Sequence, residues 1–262
     1  MKLTFYKYQG TGNDFIMIDN RDKTLSKNDT KLVNKLCDRK FGIGADGLIL
    51  LENSEDTQDD FKMVYFNADG NESSMCGNGG RCLVAFAKFL GIIEGSARFT
   101  AIDGVHEATI QDSIVSLKMQ DVNHVSEQED FLFLDTGSPH HVIFTDNIKD
   151  IDIKKEGAEI RYSDRYLKNK GTNVNFVKPV SEDTFSVRTY ERGVEDETLS
   201  CGTGVTAVAL AAFKSTRTSS NEVKLNTPGG ELSVKFEKTK NGFSDVWLSG
   251  PATFVFKGEI VC

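Results

Sequence analysis

The sequence predicts an α/β protein of the α+β kind, made of two repeated halves, and three observations carry that prediction. Residues 72–79 read ESSMCGNG and residues 197–204 read ETLSCGTG, so Glu-x-x-x-Cys-Gly-x-Gly recurs at one displacement, from Cys76 to Cys201. Other features keep the same register. Thr11-Gly12-Asn13 before an apolar strand matches Thr136-Gly137-Ser138 before His140 to Phe144, Tyr65 matches Tyr190, and the turn at Asp103-Gly104 matches Pro228-Gly229. Finally, each Cys-Gly-x-Gly leads into a small-residue apolar run of helical character, LVAFAKFL in one half and VTAVALAAF in the other.

The elements follow in order. Alternating and β-branched segments predict strands near 3–8, 15–19, 47–52 and 61–67, with a helix near 30–40. A helix over 77–90 comes next, then strands near 97–102, 105–110 and 113–119. The second half gives strands near 131–135, 140–144, 172–177 and 184–190, a helix over 203–214, and strands near 222–226, 231–237 and 244–249. The stretch 121–130 (DVNHVSEQED) is polar and aperiodic, so the halves are expected to divide as 1–120 and 121–252. The run 205–212 is apolar on nearly all sides, which requires a buried helix.

Composition narrows the function. Thirty-one basic against thirty-nine acidic side chains leave a net charge of -8, with no basic run that could track a phosphate backbone. This argues against nucleic acid and against an anionic membrane as partners. No apolar run approaches a bilayer span, and MKLTFYKYQG alternates like a strand, so a cytoplasmic protein is the expectation. Five cysteines in a chain of this size, with no close pair at zinc-ligand spacing, predict thiols and neither a disulfide framework nor a structural metal.

Cys76 and Cys201 each sit where a polar turn becomes a helix. First-turn amides favour negative charge, so such a start can hold a carboxylate and stabilise a thiolate. The loops lack the Lys-Ser/Thr of a nucleotide phosphate loop, which suits a small carboxylate better than ATP. Two thiols flanking one carbon can remove a proton from one face and return one to the other, with no cofactor and no metal. Alternatives stand beside this reading. Cys37, Cys82 and Cys262 read as small packing residues. Cys76 and Cys201 could instead form a redox pair, although Cys-x-x-Cys is missing. His140 is either a structural strand residue or a site residue placed just after the repeated turn. Glu191 and Arg192 are either a solvated surface pair or ligand contacts at a strand end.

The motifs GTGNDFIMID, FGIGADGLIL, FNADGNESSMCGNGGRC, TGSPHHV, NVNFV, YERGVEDETLSCGTG and GPATFVFKG span nearly the whole chain. In this order they resemble the diaminopimelate epimerases, a family within the cofactor-independent, two-cysteine amino-acid racemases. The resemblance implies two pseudo-symmetric domains, each a curved mixed sheet or barrel around a central helix, with the active site in the cleft between them. The C-terminal strand, about 253–262, is expected to return to the first domain. It implies interconversion of L,L- and meso-2,6-diaminopimelate on the route to lysine and peptidoglycan precursor, with no cofactor and in a homodimer. By position, Cys76 and Cys201 match the acid/base residues. Gly77, Asn78, Gly202 and Thr203 match the helix-start cradle for the reacting carboxylate. Asn13, Asn67 and Asn173 match substrate-binding asparagines, Glu191 and Arg192 the pair for the distal amine and carboxylate, and His140 with Glu191 the residues that adjust the thiols. A proline or hydroxyproline racemase is the nearest rival; a thiol redox protein and an amino-acid-binding module are further ones. Three departures occur: Asp46-Gly47 where many members have Asp-Gln, Ser138 where they have Asn, and one extra residue between Arg192 and Cys201.

Overall fold

The computed structural model describes residues 2–168 and 170–262. In chain order the elements are β1 (Lys2–Gly10), β2 (Asn13–Asp19), α1 (Thr30–Cys37), β3 (Gly47–Glu52), β4 (Phe61–Asn67), β5 (Glu72–Ser73), α2 (Gly77–Phe89), β6 (Ser96–Ala101), β7 (Gly104–Gln111) and β8 (Ile114–Lys118). There follow β9 (Val125–Glu127), β10 (Leu132–Asp135), β11 (Pro139–Phe144), a 3-10 turn at Ile148–Asp150, α3 (Ile153–Arg161), α4 (Asp164–Leu167), β12 (Asn173–Pro179), β13 (Thr184–Glu191) and β14 (Asp196–Thr198). The chain closes with α5 (Gly202–Lys214), β15 (Glu222–Thr227), β16 (Gly230–Lys238), β17 (Phe243–Pro251) and β18 (Thr253–Val261). Two compact units emerge: Met1–Leu117 with Gly250–Cys262, and Lys118–Ser249.

In the first unit the strands pair in the order β18, β1, β2, β3, β4, β6, β7, β8. The senses are antiparallel, antiparallel, parallel, antiparallel, parallel, antiparallel, antiparallel. The second unit pairs β9, β10, β11, β12, β13, β15, β16, β17 with the same sequence of senses. The two central helices also agree: α2 and α5 start and end at residues separated by the repeat displacement. The duplication seen in sequence is therefore a duplication of topology.

Each sheet packs on its central helix. α2 lies against β1, β2, β3, β7 and β18, and α5 against β10, β11, β12, β13, β15 and β16. Strands far apart in each pairing order, β18 and β7 in the first unit and β10 and β16 in the second, touch the same helix, so each sheet curves around it. The opposite face of the first sheet carries α1, whose Val33 and Leu36 join Ile16, Ile18, Leu48 and Leu50 in a second apolar layer. Strands β2 and β3 are thus covered on both faces, which accounts for their unbroken apolar character. In the second unit α3 takes the position of α1, with Ile153 packed beside Val174, Phe176 and Tyr190.

Several elements differ from the sequence reading. α3, α4 and the short strands β5, β9 and β14 were not expected. Residues 121–130 are not a bare linker: Val122 bridges to Phe243 and β9 pairs with β10. The two buried or half-buried valines at 122 and 125 are too few to show a period, yet they suffice to dock the segment.

Candidate active site

The first unit builds its site at the start of α2. Cys76 is the N-cap, in extended conformation, and its side chain forms no cap hydrogen bond. The first-turn amides have no partner within the helix. The turn facing them is Thr11-Gly12, a two-residue loop between Gly10 and Asn13 with positive φ at both positions, 47° and 94°. Glycine adopts this readily; a β-branched threonine does so only when other contacts hold it. Arg81 provides them. Its Nη2 donates to Thr11 Oγ1 at 3.0 Å and to Asn78 Oδ1 at 2.9 Å, and its Nη1 to the Gly77 carbonyl at 3.3 Å. With Oδ1 so engaged, Asn78 turns its Nδ2 to Asn13 Oδ1. Asn13 in turn donates to Asp46 Oδ2 at 3.0 Å. Behind Asp46 stands Asp14, bridged by Arg39 at 2.6 Å and Lys7 at 2.7 Å. Burial alone would raise the Asp14 carboxyl, but the bonds from Arg39 and Lys7 outweigh it and bring it down to about 2.

Asn67 ends β4 opposite Gly47, and its backbone closes the following turn with Asn71 and Gly70. It stands on the strand next to Asn13's neighbour β3 and outside the Asn13–Asn78 hydrogen-bond chain.

The second unit places Cys201, 7% exposed, at the N-cap of α5, again without a side-chain cap bond. Its Sγ lies 3.4 Å from Thr203 Oγ1. That hydroxyl is 3.0 Å from His140 Nε2 and 3.1 Å from Ser138 Oγ, while Ser138 Oγ is itself 3.0 Å from His140 Nε2. His140 Nδ1 faces Asn175 Oδ1 at 2.8 Å, and Asn175 Nδ2 donates to Thr189 Oγ1 at 2.8 Å. Since Asn175 offers an acceptor, Nδ1 carries the proton and Nε2 accepts from a hydroxyl. Burial drives the imidazole down to about 4, against a smaller upward pull from Asn175, and the Arg192 charge lowers it further. His140 is neutral at physiological pH.

This arrangement accommodates both states of Cys201. A thiol donates to Thr203, which donates to His140 Nε2; a thiolate accepts from Thr203 while Ser138 supplies Nε2. Asn173 anchors the same turn, donating to Ser138 Oγ at 3.1 Å and to the Pro139 carbonyl at 3.0 Å, and it accepts from the Arg192 backbone N–H at 2.8 Å. Glu191 ends β13, and burial pushes its carboxyl above the usual range. Close approach is enforced at Gly204, where a Cβ would stand 2.7 Å from Asn175 Nδ2.

The hydrogen-bond networks bring together Asn13 with Asn78, and Asn173 with Ser138, His140 and Thr203, and they include Arg81, Asp46, Asn175, Thr189, Thr11 and Thr136, which the sequence does not single out as site residues. Thr136 donates to the Thr203 carbonyl at 2.8 Å. For Asn175 a signal existed: two asparagines alternate on one face of NVNFV, and a polar side chain there must be bonded if buried. A concavity of about 620 Å³ in the second unit is lined by Phe213, Lys214 and Lys238 at the far end of α5 and holds none of these residues. Among the described residues no His, Cys, Asp or Glu group has the makings of a metal site, and no helix is long and apolar enough to cross a membrane.

Residues 5–125 and 132–255 match the family model described as Diaminopimelate epimerase. A relative of that name from Flavobacterium psychrophilum is 59% identical over 261 residues, covering 99% of this chain and 100% of its own. The Aquifex aeolicus diaminopimelate epimerase is 40% identical over 278 residues, covering 98% of each. Among solved structures, a Bacillus anthracis phenazine biosynthesis protein of the PhzF family shares the fold, with a TM-score of 0.79 at 13% identity and complete coverage of both chains. The sequence matches define an epimerase, one of the isomerases. The chain belongs to the diaminopimelate epimerase family.

Proposed function

We propose that the protein interconverts L,L- and meso-2,6-diaminopimelate by proton transfer between two thiols, serving lysine and peptidoglycan precursor synthesis in the cytoplasm. One observation carries the two-thiol reading: α2 and α5 match in length and register, and each is capped by a cysteine whose side chain takes no part in capping. The names of the relatives supply the substrate.

In this reading the thiolate of one cysteine takes the α-proton, leaving its electron pair delocalised into the adjacent carboxylate. The thiol of the other delivers a proton to the opposite face, and the two sulfurs exchange protonation states in each turnover. Gly77, Asn78, Gly202 and Thr203 offer helix-start groups to that carboxylate as charge develops. Asn13, Asn67 and Asn173 position the substrate. Arg192 grips the distal carboxylate in bidentate fashion and Glu191 the distal amine, which selects against a cyclic imino acid with no second head. The family match does not favour a proline-type racemase.

Protein purified without added cofactor should exchange the substrate α-hydrogen with solvent deuterium. Cys76→Ala and Cys201→Ala should each lower epimerisation by at least about 10²–10⁴-fold, the usual worth of a positioned acid or base. Full activity in either variant, or turnover of proline in place of diaminopimelate, would overturn the reading. A homodimer is part of the same proposal, supported by exposed Phe254, Val255, Phe256 and Val261 on β18; light scattering at the monomer mass would exclude it.

A further inference from the structure

The two halves agree in topology but not in what stands behind their cysteines. Arg81, in the second turn of α2, is 0% exposed. All its hydrogen bonds go to neutral groups, namely Thr11, Asn78 and the Gly77 carbonyl, and its Nε is buried with no partner. No carboxylate pairs with it among the described residues. A guanidinium stays charged at any physiological pH, and a buried charge without a counter-charge costs several kcal/mol. The ionisable groups that couple to its charge are Cys82, the next residue of α2, and Cys76, the N-cap of that helix. Burial pushes Cys82 up to about 12, so that thiol stays neutral. From the packed strands, β1 brings Tyr8 beside Cys82, also raised to about 12, while Lys7 of β1 and Asp14 of β2 are paired with each other. Cys76 is left as the group able to answer the charge.

In the second half the cation whose charge reaches the support of Cys201 is Arg192, which follows β13 and acts on His140, and it does not come from α5. The position equivalent to Arg81 is Thr206, which bonds back to the Gly202 carbonyl at 2.9 Å, and the residue supporting Thr203 and Cys201 is the neutral His140. We propose that Arg81 is a positioning residue that makes the resting enzyme asymmetric: its buried guanidinium locks the Thr11–Asn78 turn and holds Cys76 as the thiolate, leaving Cys201 as the thiol. This rests on the two-thiol reading for its catalytic meaning, but its test does not depend on turnover.

The test follows alkylation of each cysteine by iodoacetamide against pH, with the peptides carrying Cys76 and Cys201 quantified separately by mass spectrometry. The pH midpoint is compared instead of the absolute rate, because the two thiols differ in exposure. In the unmodified protein Cys76 should titrate at least one pH unit below the free-cysteine value of about 8.5, and Cys201 above Cys76. Arg81→Met should move the Cys76 midpoint up by at least one unit and leave Cys201 in place; Arg81→Lys, which keeps the charge, should restore most of the difference. A Cys76 midpoint at or above about 8.5 in the unmodified protein overturns the proposal without any variant, so a failure of Arg81→Met to fold does not shelter it. So does a folded Arg81→Met with an unmoved midpoint. Deuterium exchange by the same preparations separates the two readings: normal epimerisation with an unshifted Cys76 removes the role of Arg81 and keeps the function.

Discussion

A buried imidazole that stays neutral is the central device of the second half. His140 bonds on both sides, yet burial keeps its proton count at one, so it takes up hydroxyl donors without placing a cation beside Cys201. His141, stacked on Phe131 at 4.1 Å and bonded to Tyr166 at 2.7 Å, is likewise lowered to about 4 by burial. Both are neutral when folded and ionise near 6.5 when unfolded. The unfolded chain therefore binds more protons between those values. The stability they contribute is present above pH 6.5 and is lost as pH falls toward 4, by at most about 3 kcal/mol for each group. Melting temperature measured against pH should fall through that window, and His141→Gln should flatten the fall; an unchanged slope in the variant would refute it. At this scale the sequence was informative where a residue type implies chemistry, as for the two cysteines and His140. It was silent on Arg81, because an arginine in an amphipathic helix is ordinarily solvated and only packing shows that this one is enclosed.

The elements differ in how much of them could be read in advance. The central helices and long strands are legible because burial imposes its pattern on them: α5 is apolar on nearly all sides and β3 runs GLILL without a break. α3 is not. IKKEGAEIR carries a glycine in its middle and buries only Ile153 and Gly157, so its local preference for a helix is weak. Tertiary contact explains the glycine, since a Cβ at position 157 would lie 2.4 Å from Tyr190 Cβ and 2.5 Å from its Cγ. An Ala there gains about 1 kcal/mol of helix propensity but forces α3 off β13, a displacement that costs about 1–3 kcal/mol. Because Tyr190 immediately precedes Glu191, the clash also reaches the proposed distal anchor. Gly157→Ala should therefore lower the urea midpoint and raise KM more than it lowers kcat. A stabilised variant with unchanged kinetics would show that α3 is free to shift.

For the whole molecule, the matched pairing orders isolate one exception to the duplication. In the second unit the strand beside β10 is β9, its immediate predecessor in the chain. In the first unit the equivalent place beside β1 is taken by β18, from Lys2 opposite Val261 to Gln9 opposite Thr253. Register arithmetic could not reveal this, because the strand doing the equivalent job lies at the other end of the chain; it was expected only through the family resemblance. Removing residues 253–262 should expose the edge of β1 and the apolar face of Tyr8, which meets Phe254 at 5.5 Å between ring centroids. Amide exchange should then accelerate throughout Met1–Leu117 while β10 to β16 keep their protection. Equal loss in both units would mean that they unfold as one body. The same arrangement sets an order of events during synthesis. Lys118–Ser249 is one uninterrupted span, whereas the unit that begins with β1 needs β18 made before its sheet is complete. On the ribosome the half translated second has all its parts first, and the half translated first must wait, with one flank open, until β18 has been made.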